Sequence, residues 1–173
     1  MIINPSGKEI FSVSTEFLGR NLTLEVNKVG FRSTSSVLVK YGDTVILGTV
    51  QLGNRPVELD YFPLSIDYEE KFYAAGKISG SRFIKREGRP SDEAILTGRL
   101  IDRPIRPLFP KGYREEVQVV STVLSMDPNF RPDMIAMIAA SAALNLAGVP
   151  FDGPVAGLRI GKVNGEFKAF LNE

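Results

Sequence analysis

The sequence predicts an α+β domain, a β-sheet packed with helices, and three features carry that reading. Short runs in the first half place apolar residues at alternate positions, as strands with one buried face do. A helix signal begins at Ser91, and its arginines recur at helical spacing. The run 132–147 is nearly all apolar and has the length of a buried helix. With 173 residues and 43% hydrophobic content, the chain can bury a substantial core, and it is read as a single domain over 1–173.

The elements follow in order. Asn21 to Lys28 alternates Leu22, Leu24 and Val26 with polar neighbours and predicts a strand. Val37 to Lys40, the turn Tyr41-Gly42-Asp43, and Thr44 to Gln51 predict a hairpin, with Gly42 free to adopt positive φ. Phe62 to Tyr68 is a further strand, and Pro63 puts it at its start or at a sheet edge. From Gly76 to Pro90 periodicity gives way to glycine, serine and proline, which predicts an exposed loop.

Ser91 then reads as an N-cap, with Asp92 and Glu93 in the first turn where the helix dipole favours negative charge. The helix should run towards Phe109, with a kink or break at Pro104, which lacks a backbone donor. Leu100, Ile101, Ile105 and Leu108 are expected to face the core. Val117 to Met126 reads as a central strand, and Pro132 to Ala147 as a buried helix stopped by Gly148 and Pro150. Finally, Val155 to Val163 and Glu166 to Phe170 flank Asn164-Gly165, a strong two-residue hairpin turn.

Composition restricts the chemistry. With no cysteine and no histidine, the chain has no disulfides, thiolate nucleophiles or imidazole bases, and it lacks the usual zinc ligand sets. Met1 to Ile10 shows no basic and apolar leader, and Met134 to Ala147 is too short to span a bilayer, so no membrane segment is expected. Asp127, Asp133 and Asp152 lie beside turns or helix starts, where they read as caps rather than metal ligands. No metal site and no catalytic residue is expected within this chain.

The net charge of +1 hides an asymmetry. Arg82 to Arg114 holds nine basic residues against four acidic ones, a local excess of +5 that suits a phosphate or polyanion. The plainer reading is a solvated charged face. Arg99, Arg103 and Arg106, spaced by four and three residues, share one face of the helix, and a guanidinium fork binds two phosphate oxygens together. The same arginines could instead form ion pairs with another domain or subunit. In the loop, Phe83, Ile84, Lys85 and Arg86 set apolar residues beside cations, a combination that single-stranded nucleic acid asks for through stacking and phosphate contact. The alternative is that Phe83 and Ile84 tuck into the domain or an interface.

The run YAAGKISGSRFIKREGRPSDEAILTGRLIDRPIRPLFPKGY, Tyr73 to Tyr113, resembles the signature stretch of the first core domain of bacterial polynucleotide phosphorylases, the polyribonucleotide nucleotidyltransferases. YGDTVILGTV, EVQVVSTVLSMD, PDMIAMIAASAALNLAGVPFDGPV and RIGKVNGEF agree with it in order and spacing, so the resemblance spans essentially the whole chain.

The resemblance implies a ribonuclease PH-like fold, a mixed sheet with helices in a βαβα arrangement, whose last elements lie beyond Glu173. It implies a cytoplasmic homotrimeric ring that degrades single-stranded RNA from its 3′ end, using inorganic phosphate and releasing nucleoside diphosphates. Magnesium and catalysis belong to a second core domain. Degradosome-type RNA-decay proteins are among the implied partners. Phe83, Ile84, Lys85 and Arg86 occupy the family's channel loop, here with Arg82 as an extra residue ahead of it and Ile84 in place of a second aromatic. Arg89, Arg99, Arg103 and Arg106 match arginines near a phosphate or the RNA. Two other readings remain open: a catalytically silent RNA-binding scaffold, and a single-domain enzyme that trims tRNA ends.

Overall fold

Alternating apolar residues build an antiparallel meander from the first half of the chain, seen in a computed structural model that describes residues 5, 7–56, 60–78 and 88–170. Strands β1 (Phe11–Phe17), β2 (Arg20–Val26), β3 (Ser35–Tyr41) and β4 (Thr44–Pro56) each pair antiparallel with the one before. Strand β5 (Leu64–Glu70) leads to a 3-10 turn, Phe72–Ala75, and then to helix α1 (Asp92–Ile105). A second 3-10 turn, Arg106–Leu108, precedes strand β6 (Glu115–Ser125), which lies antiparallel to β4 and parallel to β5. Helix α2 (Asp133–Leu146) and a hairpin of β7 (Arg159–Val163) and β8 (Glu166–Phe170) complete the order.

The main sheet is therefore mixed, with strand order β1-β2-β3-β4-β6-β5. The expected central strand is β6, and the Pro63 strand is an edge. Cross-strand partners share a face. One such row, Val39, Ile46 and Val123, is almost completely buried, and Val37, Val50, Val117 and Val119 flank it on the same face. Helix α2 lies on that face. Ser35 donates to the carbonyl of Ala143 at 2.6 Å, and a Cβ on Gly48 would fall 2.7 Å from the carbonyl of Ala139. A helix built from alanines can come that close because its side chains take little room.

Several predicted boundaries hold. Ser91 caps α1, its Oγ accepting from the backbone N–H of Ala94 at 3.1 Å, and the α-helix ends one residue after Pro104. Asn164 and Gly165 both have positive φ, as the tightest hairpin turn requires.

Three features differ from expectation. Strand β1 is not among the expected strands, although Phe11, Val13, Thr15 and Phe17 alternate with Ser12, Ser14 and Glu16; six of its seven residues are exposed. Strand β7 begins at Arg159 rather than Val155, because the preceding segment lies on α2: Val155 N–H donates to Ser141 Oγ at 2.7 Å. Leu100 does not face the core. Ala94, Gly98, Ile101 and Ile105 form the buried line of α1, and Leu100, more than a quarter-turn from that line, is 44% exposed; Leu108 is half-buried.

Candidate nucleic-acid interface

Three of the four predicted arginines sit on or directly after α1, and its packing decides what each can do. The small residues Ala94 and Gly98 let the helix approach β5, so that a Cβ on Gly98 would meet the carbonyl oxygen of Ile66 at 3.2 Å. The opposite face is left to solvent. Arg99 and Arg103 project from it, one turn apart, and Arg106 follows at the helix end.

The stripe then divides. Arg106 is already engaged: its Nε donates to Asp102 Oδ2 at 2.9 Å, and its Nη2 donates to Asp102 Oδ1 at 2.6 Å. The same guanidinium donates to the carbonyls of Leu64 at 3.0 Å and Phe62 at 3.4 Å. With four acceptors around it, Arg106 fastens the end of α1 to the start of β5, and few of its donors remain for a ligand.

Arg99 and Arg103 are different. Among the described residues neither has a hydrogen-bond or ion-pair partner, and both are exposed. Arg99 overlooks a cleft of about 360 Å³ between α1 and β5, lined by Ile66, Tyr68, Ile95 and Gly98. Arg103 stands in the last turn, where the helix dipole favours a cation. Two like charges one turn apart repel weakly, and an anion spanning them would relieve that repulsion.

Arg89 lies just ahead of the cap, at the wall of a second cavity of about 620 Å³ beside the N-terminus of α1. Lys77 and Phe72 share that wall, and Ala74, Val123 and Met126 form its apolar part. Nothing in the sequence pattern singles out Lys77 and Phe72. Phe72 opens a 3-10 turn and Lys77 follows it, and so short a turn has no periodicity to flag them. Phe83, Ile84, Lys85 and Arg86 lie outside the described residues.

The aspartates act as structural groups. Asp127 accepts from the backbone N–H of Asn129 at 2.9 Å and from Arg20 at 3.0 Å, and Arg20 also lies 3.9 Å from the centre of the Phe130 ring. The Asn129 amide first, and then Arg20, hold the Asp127 carboxyl below its ordinary range. Asp133 accepts from the Met134 N–H at the start of α2 and from Arg159. Asp152 meets the rest of the fold through its backbone, whose N–H donates to Leu108. Among the described residues no group of three or more Asp or Glu side chains comes together that could hold a metal ion. No described helix is long and apolar enough to cross a membrane.

Comparison with known proteins supplies a context for this surface. Residues 19–150 match the family described as the 3′ exoribonuclease family, domain 1. The polyribonucleotide nucleotidyltransferase of Exiguobacterium sibiricum is 56% identical over 154 residues, covering 89% of this chain and 21% of that protein. The enzyme of the same name from Staphylococcus saprophyticus is 54% identical over 160 residues, covering 92% of this chain and 22% of its own. The chain thus spans about a fifth of the length of these relatives. Among solved structures, rice (Oryza sativa) Rrp46 superposes with a TM-score of 0.64 at 18% identity, covering 98% of this chain and 71% of that one, a likeness of fold.

Proposed function

The chain belongs to the 3′ exoribonuclease family, domain 1, and from that premise we propose that it is the RNA-gripping part of a phosphorolytic 3′-to-5′ exoribonuclease. The whole protein would use inorganic phosphate to cleave the last phosphodiester bond of single-stranded RNA and release a nucleoside diphosphate. In this reading the present segment contributes RNA contact and ring scaffold, in a cytoplasmic homotrimer open to RNA-decay partners. Magnesium and catalysis lie outside it.

One observation carries the reading: Arg99 and Arg103, two exposed guanidinium groups one turn apart, have no carboxylate partner among the described residues. Two such cations one turn apart repel each other, and a phosphate chain laid across them would relieve that repulsion. Arg89 continues the positive surface at the other end of α1. Lys85 and Arg86 are proposed to grip the RNA backbone, with Phe83 and Ile84 against the bases. Arg106 keeps a supporting part, holding the helix on which the other arginines stand.

Two measurements test this. The full-length gene product, given oligoadenylate and magnesium, should release ADP only when phosphate is added. RNA bound without release would instead favour a silent scaffold. Arg99→Ala/Arg103→Ala and, separately, Lys85→Ala/Arg86→Ala should each weaken RNA binding. Each should also flatten its salt dependence, by about 0.7 in the log–log slope for every phosphate that is no longer neutralised. An unchanged slope in either variant would remove that pair from the RNA path.

A further inference from the structure

The turn that follows β5 is held from within and from outside. Within it, the Ala74 N–H donates to the Lys71 carbonyl at 2.9 Å, Gly76 N–H to Tyr73 at 3.0 Å and Lys77 N–H to Phe72 at 2.9 Å, and Gly76 closes the turn at a φ of 66°. From outside, the Met126 N–H donates to the Ala74 carbonyl at 3.1 Å and ties the turn to the residue that ends β6. The backbone that carries Lys77 is therefore fixed. A cation presented from fixed backbone loses less freedom when a ligand arrives than one on a loose loop.

Beside this turn lies the cavity of about 620 Å³, with Ala74, Val123 and Met126 as its apolar part. Its volume falls within the roughly 300–1,000 Å³ of small-ligand sites. The charges around it are unequally engaged. Its two carboxylates have partners, Glu69 with Lys71 at 2.8 Å and Glu70 with the Tyr68 hydroxyl at 2.7 Å. The side chains of Lys77 and Arg89 are exposed, and neither has a hydrogen-bond or ion-pair partner among the described residues. Apolar surface with open cations beside it is what single-stranded RNA asks for, since a base leaves water while its flanking phosphates meet positive charge.

We propose that this cavity is a subsite for one nucleotide of single-stranded RNA, the base against Ala74, Val123 and Met126 and the flanking phosphates on Lys77 and Arg89. The inference rests on the RNA-gripping reading given above, which also brings the strand to this place. Gly88 and Arg89 line the cavity and follow directly on Lys85 and Arg86, so RNA gripped by that pair passes the cavity within a nucleotide or two. Arg99 and Arg103 offer contact to the phosphate chain, and the cavity adds a seat for a base. All of its groups come from one chain, so each subunit of a ring carries its own copy.

The test uses the full-length gene product, with phosphate left out so that RNA is bound and not degraded. An oligouridylate carrying a single 4-thiouridine, moved along the strand and irradiated, should cross-link from one position to residues 72–77 or to Met126, as read by mass spectrometry. Lys77→Ala should weaken RNA binding about fivefold and lower the log–log salt slope by about 0.7, the share of one phosphate. Lys77→Arg should keep both, and neither variant should shift the melting temperature, because position 77 is exposed. Cross-links that miss these residues from every position would overturn the subsite, as would Lys77→Ala with the parent's affinity and slope. If Lys85→Ala/Arg86→Ala still weakens binding in that case, the subsite alone falls; if it does not, the RNA-gripping reading falls with it.

Discussion

Arg106 and Arg99 share a helix face and a side-chain type, yet their surroundings give them different work. Arg106 satisfies the Leu64 carbonyl and the Asp102 carboxylate, so Arg106→Ala should destabilise the chain by about 1–2 kcal/mol in urea denaturation, leaving both without a donor. Arg99→Ala should stay within about 0.5 kcal/mol of the parent, because it removes no such partner. Equal losses would mean that the stripe acts as one structural unit. At Asp127, the Asn129 amide and Arg20 hold the carboxyl below its ordinary value of 3.8. A lowered carboxylate contributes stability above its unfolded pKa and loses it as pH falls through the folded one. The melting-temperature gap between the parent and Asp127→Asn should therefore be full at neutral pH and close below about pH 4. A gap that persists in acid would show that the ionised form of Asp127 contributes nothing to stability.

At the scale of elements, close approach is what joins the layers. Helix α2 reaches β4 because position 48 has no side chain, and the Cβ of an alanine there would lie 2.7 Å from the Ala139 carbonyl, in backbone that cannot swing aside. Gly48→Ala should cost about 1–3 kcal/mol, read as a lowered urea midpoint, and a variant as stable as the parent would mean that α2 can slide on the sheet. The chain after α1 is held by rings. Phe62, Phe109 and Tyr113 contact one another, and Phe151 adds to Phe109 with ring centres 5.4 Å apart. Burial, helped by the hydrogen bond to Glu115, pushes the Tyr113 hydroxyl up to about 12, so it remains a donor at neutral pH. Most of these elements were legible because each has a local signature: alternation in β2 to β4, the Ser91 cap, the alanine run of α2, the Asn164-Gly165 turn. Strand β1 is not among them, although Phe11, Val13, Thr15 and Phe17 alternate with Ser12, Ser14 and Glu16; its apolar residues are mostly exposed, and only Phe17 packs against the core.

For the molecule as a whole, the chain order and the positive character of the segment around α1 are properties of sequence alone. Periodicity, capping and charge arise from residues within a few positions of each other, so they can be read without a fold. The sequence likewise places Arg89, Arg99, Arg103 and Arg106 among the nine basic residues from Arg82 to Arg114. Only the tertiary structure decided which of them are open. Arg106 is engaged because residues 62 and 64, more than forty positions away, present their carbonyls to it. Leu100 is exposed because α1 meets β5 along the small-residue line of Ala94 and Gly98, and β1 and β5 are the edges of the sheet only once the strand order is known. These outcomes depend on contacts between distant segments. Local pattern limits such contacts without choosing among them, and packing makes the choice.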